Sequence, residues 1–313
     1  MQPLVSVILP VYNQEFFLEE TIMSILSQSF RNFELLIIDD GSTDSSAKII
    51  QKLSVTDSRI IAYFEANVGK SQATNNLVNK AIGEWCAFLD ADDVMMPERL
   101  EKQVAFHKNH SEIHASSSHC YYINQTGNLF ATQRYEGLSS LKEFKQTVFR
   151  EEFITCSYTG LMVSRKVFVE IGGLQKKLEV CEDFEFFNRL VDRGFILLVI
   201  PEVLMKYRIH PSAITVRKPL LVRDTISFVK HCFRLKRAGK PEISFEDFLK
   251  LQQQYSWWTK LNRRRFQYAT IFFRDAGVSV LSKKYLLFLW QIAVSSALSP
   301  NYVFKKMKNH LKK

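Results

Sequence analysis

The stretch Trp85-Cys86-Ala87-Phe88-Leu89-Asp90-Ala91-Asp92-Asp93 decides how this chain folds. Its apolar first half, bounded by polar residues, predicts a short buried strand. The carboxylates follow at the carboxyl end of that strand, where open α/β sheets bind their ligands. Because Asp90 and Asp92 stand two residues apart, an extended chain directs both to one side. The pair predicts a Mg²⁺ or Mn²⁺ site completed by phosphate and water, although one acid could instead cap a helix near Pro97.

Upstream of this stretch, three more apolar runs alternate with segments of helical apolar spacing. Residues 6–10, 33–38 and 60–64 predict buried strands, and we expect Pro10 to end the first of them. Strands and helices that alternate through short connections predict a parallel, doubly wound α/β sheet. Loops rich in Asp, Asn and Gly follow three of the four strands, so we expect them at one edge of the sheet.

The first strand-to-helix turn, Pro10-Val11-Tyr12-Asn13-Gln14, contains no glycine. The G-x-G-x-x-G turn that lets a backbone approach a pyrophosphate is therefore missing. We expect a metal ion on Asp90 and Asp92 to hold phosphates in its place.

The loops after the second and third strands carry further polar candidates. Asp39 and Asp40 have a simple alternative as turn residues, as do Asn67 and Gly69, and Tyr12 has one as a core aromatic. However, acids at the ends of two neighbouring strands crowd like charges, which is costly unless a cation or a ligand donor offsets them. This crowding favours a binding site.

Charge divides the chain into two parts. The net charge is +10, but residues 215–313 hold 21 basic and 5 acidic residues, whereas residues 1–214 hold 21 basic and 27 acidic ones. We predict a catalytic domain over 1–214 and a basic helical region over 215–313. This region should seek polyanions, and an anionic membrane surface fits best. Residues 285–298 are its most apolar stretch, too short to span a membrane and typical of a buried or interfacial helix. A helical bundle packed on the catalytic domain, with a solvated basic face, is the alternative.

The composition is that of an ordinary globular protein. Five scattered cysteines without a Cys-x-x-Cys pair predict neither a disulfide framework nor a zinc site, and they favour a reducing compartment. The first residues lack the pattern of a signal peptide, so we expect a cytoplasmic protein. Four histidines at 107, 110, 114 and 119 do not share one helical face, and we expect them on a solvated surface rather than on zinc.

Four ordered motifs resemble those of family 2 glycosyltransferases with the GT-A fold, and the resemblance covers about the first 215 residues. They are Val5-Ser6-Val7-Ile8-Leu9-Pro10-Val11-Tyr12-Asn13, Ile38-Asp39-Asp40-Gly41-Ser42-Thr43-Asp44, Asn67-Val68-Gly69 and Leu89-Asp90-Ala91-Asp92-Asp93. The resemblance implies a Rossmann-like mixed sheet. It also implies transfer of a sugar from a nucleotide-diphosphate donor with inversion at the anomeric carbon.

The resemblance also implies a donor site. In the family, the residues matching Pro10 and Tyr12 line the nucleobase pocket, and those matching Asp39 and Asp40 bind base and ribose. The D-x-D at Asp90 and Asp92 contacts ribose and metal-bound diphosphate. The implied donor-binding residues are Pro10, Tyr12, Asn13, Asp39, Asp40, Asn67, Gly69, Lys70, Asn75, Asp90, Ala91 and Arg208, and the implied metal ligands are Asp90, Asp92 and His210.

This chain departs from the family at one place in that site. The family's Ala-Arg-Asn element is Ala73-Thr74-Asn75 here, with Leu77 in place of a following glycine. The arginine is absent, and Lys70 is our candidate to replace it.

Two later motifs supply the remaining chemistry. Glu182-Asp183 is similar to the family's E-D pair, which makes Asp183 the general base and Glu182 its support. A helix start rich in acids is also common, and its dipole should lower the pKa of Asp183. Tyr207-Arg208-Ile209-His210 resembles the family's last motif, where the histidine joins the metal or the diphosphate. A lone histidine in a surface loop is the alternative there.

Together these patterns predict a metal-dependent inverting, hexosyltransferase-like glycosyltransferase of cell-surface polysaccharide or glycolipid synthesis, acting on a glycan or lipid-linked acceptor. It would be cytoplasmic and peripheral on the inner face of the membrane. A nucleotidyltransferase is an alternative, but it normally needs a glycine-rich basic N-terminal loop. A basic nucleic-acid-binding protein is another, but it leaves the acidic first part unexplained. We therefore expect no nucleic acid partner, and the sequence does not indicate an oligomeric state.

Overall fold

The computed structural model describes residues 2–281 and 284–311, and the chain divides into two compact units between Pro211 and Ser212. The first unit contains nine described strands: β1 (Val5–Val11), β2 (Phe33–Asp40), β3 (Ile60–Glu65), β4 (Trp85–Phe88), β5 (Val94–Met95), β6 (Ala115–Ile123), β7 (Leu129–Gln133), β8 (Met162–Ser164) and β9 (Leu197–Arg208). Its helices are α1 (Leu18–Leu26), α2 (Ser46–Ser54), α3 (Lys70–Lys80), α4 (Arg99–Asn109), α5 (Leu141–Phe149), α6 (Arg165–Glu170) and α7 (Glu182–Asp192).

The nine strands form one mixed sheet in the order β3-β2-β1-β4-β8-β6-β9-β5, and β7 pairs with β6 beside that path. The strands β1 to β4 are parallel to their neighbours within this group, as the sequence predicts. The β8 strand runs antiparallel to β4 and β6. The expected doubly wound, mixed sheet is therefore confirmed.

Both faces of the parallel half are buried. Along β1, Val7 and Leu9 belong to one apolar cluster and Ile8 belongs to the other. Side chains of a strand alternate between faces, so a strand covered on both sides reads as a continuous apolar run. This burial explains why residues 6–10 and 33–38 show no alternation with polar residues.

The strand register brings the carboxyl ends of the strands to one edge. Val11 at the end of β1 pairs with Asp39, and Ile8 pairs with Phe88 near the end of β4. Asp40 pairs with Glu65 at the end of β3. The loops that follow these strands therefore start side by side, as the sequence predicts.

The prediction that Pro10 ends the first strand is wrong. Pro10 lies within β1 and pairs with Ile38 of β2. The pairing of β1 with β4 stops at Ile8, whose carbonyl faces β4 and accepts the Leu89 N–H. Residues two apart in a strand direct their backbone groups to the same side, so the nitrogen of Pro10 also faces the β4 side. Pairing with β4 has already ended there, so no strand-pairing hydrogen bond is lost through the missing N–H.

The predicted surface position is wrong for two of the four histidines. His107 is buried, and its ring stacks on Trp85 with 3.8 Å between ring centres. Burial lowers the pKa of His107 to about 4. His119 is buried in β6, where its Nδ1 accepts the Tyr135 N–H. His107 lies on a helix and His119 on a strand of the sheet, and the spacing of the histidines does not reveal that either position is buried.

The second unit is helical in its described part, as the sequence predicts. Its helices are α8 (Ile214–Arg217), α9 (Pro219–Arg237), α10 (Phe245–Gln253), α11 (Trp257–Leu281), α12 (Tyr285–Leu298) and α13 (Pro300–Leu311). None of the helices in the described ranges has the length and apolar character needed to cross a membrane. The end of the predicted basic tail, residues 312 and 313, lies outside the described residues, and separate roles for the two units stay a prediction.

Candidate active site

A lysine joins the acidic stretch after β4 to the acids at the start of α7. Lys70 begins α3 directly after Gly69, which adopts φ +84°. The Lys70 Nζ lies 2.7 Å from Asp90 Oδ1 and 3.4 Å from Glu182 Oε1. It also lies 4.5 Å from the ring centre of Tyr158. Three motifs that are far apart in sequence therefore meet at one ammonium group.

The charge of Lys70 is favoured at this position. Desolvation opposes that charge, but the carboxylates of Asp90 and Glu182 raise the pKa of Lys70 well above its ordinary value. The lysine side chain remains partly exposed, at 41%, so a ligand can reach it. The crowded acids are thus offset in part by a cation that the chain itself supplies.

Asp92 and His210 form a second pair beside this cluster. The His210 Nε2 lies 2.8 Å from Asp92 Oδ2, and its ring packs 4.9 Å from the ring of Phe17. His210 is 4% exposed, so the alternative of a surface histidine is wrong. The structure therefore brings together two of the three predicted metal ligands, Asp92 and His210, whereas the third, Asp90, is paired with Lys70.

Arg208 supports the acidic stretch from within the fold. Its backbone N–H donates to Asp93 Oδ1 at 2.7 Å, and its Nε donates to the Asp92 carbonyl at 2.7 Å. Its Nη2 lies 2.6 Å from Glu20 Oε2, and its Nη1 donates to the Asn124 carbonyl. Arg208 is 2% exposed. Its guanidinium is occupied by protein acceptors and fixes the backbone that carries Asp92.

The side chains fit a metal ion that is completed by substrate oxygens rather than a cage made by protein alone. Within the described ranges, no three His, Cys, Asp or Glu residues are grouped so that they could hold a metal ion. Asp92 and His210 offer one carboxylate and one imidazole, while Asp90 is paired with Lys70. Mg²⁺ is usually held by one or two carboxylates together with phosphates and water. Such a donor set suits a cation bound with a diphosphate.

The loops after β1 and β2 are tied to each other. The Asn13 N–H donates to Ser42 Oγ at 3.0 Å, and Asn13 Oδ1 accepts the Thr43 N–H at 2.8 Å. Tyr12 is half exposed beside them, so it is not a core aromatic. Asp39 is buried, and its Oδ1 has no hydrogen-bond partner among the described atoms. A buried, unpaired carboxylate oxygen is unusual and invites a donor from a ligand.

Asp40 organises the loop that leads into α3. Its carboxylate accepts the Val68 N–H at 2.7 Å and the Gly69 N–H at 2.9 Å. The Asn67 side chain donates to the Asp40 carbonyl at 2.9 Å. These contacts engage both carboxylate oxygens of Asp40 with protein and place Gly69 at the start of α3. A direct contact of Asp40 with a ligand stays a prediction.

Asn75 also makes a contact within the protein. Its Oδ1 accepts the Leu174 N–H and its Nδ2 donates to the Leu174 carbonyl, both at 2.9 Å. The side chain therefore clamps α3 to the segment after α6. Its predicted contact with a donor stays a prediction.

Asp183 has the raised pKa of a proton acceptor, whereas the sequence predicts a lowered one. It lies in the first turn of α7, where its Oδ1 accepts the Phe184 N–H at 2.7 Å. Burial, together with the charge of Glu182, raises the pKa of Asp183 to about 6, although Lys70 opposes this shift. The expected lowering of this pKa by the helix dipole is wrong because desolvation and a neighbouring carboxylate outweigh the dipole. Asp183 is a stronger base than an ordinary aspartate and is still ionised at pH 7.

Two supporting residues were missed from the sequence. The Thr21 hydroxyl of α1 lies 3.1 Å from the carbonyl of Ala91, which is itself buried. Arg99 is fully buried and donates from Nη2 to the carbonyls of Phe88 and Leu161 at the strand ends. Their roles depend on tertiary contacts, and neither residue lies in a pattern that could have indicated it.

Comparison with known proteins identifies the family. The family model described as Glycosyl transferase family 2 matches residues 6–172. An uncharacterized glycosyltransferase of Methanocaldococcus jannaschii is 34% identical over 66% of this chain and 71% of its own length. TuaG of Bacillus subtilis, described as a candidate teichuronic acid biosynthesis glycosyltransferase, is 30% identical over 69% of this chain and 83% of its own.

Solved structures support the same fold. The mannosyltransferase PcManGT from Pyrobaculum calidifontis, in complex with GDP-Man and Mn²⁺, superposes with a TM-score of 0.58, covering 95% of this chain and 85% of its own, at 16% identity. S. aureus TarS 1-349 in complex with UDP-GlcNAc superposes with a TM-score of 0.56, covering 94% and 91% of the two chains, also at 16% identity. At this identity the likeness shows the fold alone.

Proposed function

This chain belongs to glycosyl transferase family 2, and we propose that it moves a sugar, with inversion, from a nucleotide-diphosphate sugar to a hydroxyl group of an acceptor. The observation that carries the proposal is the position of Lys70. Its ammonium connects Asp90, in the D-x-D stretch, with Glu182, the neighbour of the proposed base. A leaving diphosphate and an attacking hydroxyl must be handled within a few ångströms of each other, and this cluster supports both.

On the donor side, separate residues would recognise the nucleoside and offset the charge of the diphosphate. The unpaired Oδ1 of Asp39 would accept a hydrogen bond from the base or ribose, beside the half-exposed ring of Tyr12. Asp92 and His210 would hold Mn²⁺ or Mg²⁺. When bound, that ion would act as a Lewis acid that offsets charge on the diphosphate. Lys70 supplies a second positive charge at the same place, which suits the leaving group.

On the acceptor side, Asp183 takes the proton. The acceptor oxygen attacks the anomeric carbon from the face opposite the diphosphate. As this bond forms, the bond from the anomeric carbon to the diphosphate oxygen breaks, and the acceptor's proton passes to the Asp183 carboxylate. A pKa near 6 makes this carboxylate a better proton acceptor than an ordinary aspartate while it stays ionised at neutral pH. Glu182 keeps Lys70 in place and, by its own charge, helps to raise the pKa of Asp183.

We further propose a glycan or lipid-linked acceptor and a role in cell-surface polysaccharide or glycolipid synthesis. The similarity to TuaG supports the pathway, and the basic character of residues 215–313 supports a place at the inner face of an anionic membrane. A nucleotidyltransferase is not favoured, because the glycine-rich loop is absent and the family match is to glycosyltransferases.

A thermal-shift screen of UDP-, GDP- and dTDP-sugars, with and without Mn²⁺, tests the donor and the metal together. A ligand at about one hundred times its Kd stabilises a protein by about 2.7 kcal/mol, which a melting curve resolves. We expect one donor class to stabilise the wild type with Mn²⁺, and Asp92→Asn to lose that effect.

Glu98→Gln is the matched control, because its carboxylate lies on the exposed surface of the same unit, beside Lys102. It should behave as the wild type. Stabilisation that is equal without Mn²⁺ and survives Asp92→Asn would contradict the metal assignment. The absence of any response to nucleotide sugars would contradict the donor assignment.

A further inference from the structure

Two helices of the second unit have small or polar residues at their buried positions and large apolar side chains at exposed ones. The helices α11 and α12 pack against each other, and their fully buried residues, where described, are all small or polar. Among them are Gln267, Thr270, Gln291 and Ser295, and the Ser295 hydroxyl donates to the Ala269 carbonyl at 2.7 Å. In water, the apolar side chains of a helix pair normally turn inward. Here the described buried positions of the two helices hold alanine, serine, threonine and glutamine, and no large apolar side chain.

Several large apolar side chains of α12 are exposed instead. Leu286 is 86% exposed, Leu289 60% and Trp290 54%, and the Trp290 ring also packs edge-to-face against Phe272 of α11, with 5.4 Å between ring centres. Ala293 and Ala297 are also exposed and continue the same stripe. Leu289, Trp290, Ala293 and Ala297 follow Leu286 by three, four, seven and eleven residues, which is the spacing of one helical face. We call these five residues the α12 stripe. The helix contains no charged residue, so the stripe is an uninterrupted apolar face.

Small and polar residues between helices, with large apolar residues outside, are typical of helices that contact lipid. Lipid chains solvate leucine as well as another leucine does, so helices in lipid pack through close backbone approach and hydrogen bonds instead. Aromatic residues also fit this environment, because Trp and Tyr prefer the boundary between lipid and water. Tyr285 and Trp290 are exposed on α12, and the stacked pair Trp257 and Trp258 is exposed at the start of α11.

Charge decides between a lipid surface and a second copy of the chain. Residues 215–313 hold 21 basic and 5 acidic residues, so two copies joined through this unit would bring like charges together. Lys284 directly precedes α12, and Lys305 and Lys306 are exposed in the helix that follows it. Lysines that flank an apolar helix in the sequence complement anionic headgroups when they reach them, each by about 1 kcal/mol of attraction. The charge pattern therefore favours an anionic lipid surface.

The length of α12 fixes how it can meet that surface. Its 14 residues extend over about 21 Å, short of the roughly 30 Å of a bilayer core. We propose that α12 lies in the plane of an anionic membrane, with the α12 stripe inserted among the acyl chains and the flanking lysines at the headgroups. This inference rests on the proposed function for its purpose, which is to bring the enzyme to a lipid-linked acceptor, but its test uses no transfer reaction.

Vesicle co-sedimentation of the full chain tests the inference. We expect binding to phosphatidylcholine vesicles that contain phosphatidylglycerol, and much weaker binding to phosphatidylcholine alone. The double variant Leu286→Glu, Leu289→Glu should reduce binding to the mixed vesicles by about tenfold or more, because two leucine side chains no longer leave water. Leu129→Glu is the control, since Leu129 of the first unit is 57% exposed, close to the 60% of Leu289, and it should bind as the wild type does.

Circular dichroism and the donor-induced thermal shift show whether the double variant is folded. A folded double variant that binds the vesicles as tightly as the wild type contradicts the role of the stripe, as does a wild type that binds no vesicle. A wild type that light scattering shows to be a dimer, made monomeric by the double substitution and indifferent to vesicles, assigns the stripe to a second copy. A failure of donor binding alone would count against the proposed function and leave this inference intact.

Discussion

Replacement of Asp183 by asparagine should have opposite effects on activity and on stability. Asparagine has nearly the same shape as aspartate, and its Oδ1 can still accept the Phe184 N–H. It cannot take a proton from an acceptor hydroxyl, so turnover should fall by about a hundredfold to ten-thousandfold, the range for loss of a general base. At neutral pH the variant should nevertheless be the more stable protein, because the wild type holds a charged carboxylate at a buried position beside Glu182.

The stability difference follows from the raised pKa. The pKa of Asp183 rises from its ordinary 3.8 to about 6 in the folded protein, so the folded state binds this proton more tightly than the unfolded chain does. The stabilising contribution of the proton is complete below about pH 4 and is lost as the pH rises through about 6. One pKa unit corresponds to about 1.4 kcal/mol, which places the full effect on the order of 3 kcal/mol. The stability advantage of Asp183→Asn should therefore grow over this interval and level off above it.

Urea denaturation at pH steps from 4 to 8 measures this difference without any knowledge of the substrate. Asp57→Asn is a control of opposite sign in the same unit, because its hydrogen bond with Arg59 lowers the pKa of Asp57. Its stabilising contribution is present above the unfolded pKa and is lost as the pH falls, so Asp57→Asn should be less stable than the wild type at pH 7. The chain has two units and can show two unfolding transitions. The transition that responds to both substitutions, in opposite directions, belongs to the unit that contains Asp57 and Asp183.

Kinetics supply the second half of the test. Once a donor is identified, kcat/KM of the wild type should fall tenfold for each pH unit below about 6, because only the ionised Asp183 accepts a proton. If Asp183→Asn has the same pH dependence of stability as the wild type, burial does not raise the pKa of Asp183. If the variant keeps the wild-type rate, Asp183 is not the base.

Two other substitutions probe the supports of the site. Lys70→Met should weaken binding of the selected donor by about tenfold to a hundredfold in calorimetric titration, because a hydrogen bond to a charged group contributes about 1.5–3 kcal/mol. Lys70→Arg should keep most of the affinity. Unchanged affinity in Lys70→Met would show that Lys70 is not part of the donor site. Arg208→Met should lower the free energy of unfolding by on the order of 3 kcal/mol in urea, because it leaves the half-buried Asp92 and Asn124 carbonyls without the donor that the buried guanidinium supplies. A loss below about 1 kcal/mol would contradict its supporting role.

The sequence predicts the parallel half of the fold well because each strand is buried on both faces. Continuous apolar runs such as residues 33–38 leave little ambiguity, and the acids that follow them mark the carboxyl ends. The strand β5, Val94–Met95, could not be predicted in the same way. It consists of two residues and exists only because it pairs with Met205 and Lys206, which are more than a hundred residues away. Short strands of this kind are defined by their partners and not by their own composition.

The candidate site was predictable as a set of residues but not as a set of contacts. The motifs point to Asp40, Lys70 and Asp183, and the structure places each of them near the same sheet edge. The sequence could not show that both carboxylate oxygens of Asp40 bind the loop before α3. Nor could it show that the pKa of Asp183 rises, because a local rule, the helix dipole, was reversed by burial and by Glu182. Partners that come from remote elements decide both properties.

The position of Lys70 changes how the acidic stretch should be understood. A D-x-D read from sequence predicts two carboxylates facing one metal ion, and the structure instead gives Asp90 an ammonium partner and leaves Asp92 beside His210. In the proposed site, the positive charge required by a diphosphate would be divided between a covalently attached cation and an exchangeable one. Because Lys70 also contacts Glu182, the proposed site would link the charge on the leaving group to Asp183, the neighbour of Glu182 and the proposed acceptor of the proton. We therefore expect donor binding and proton transfer to be coupled through one side chain, a link that neither motif reveals by itself.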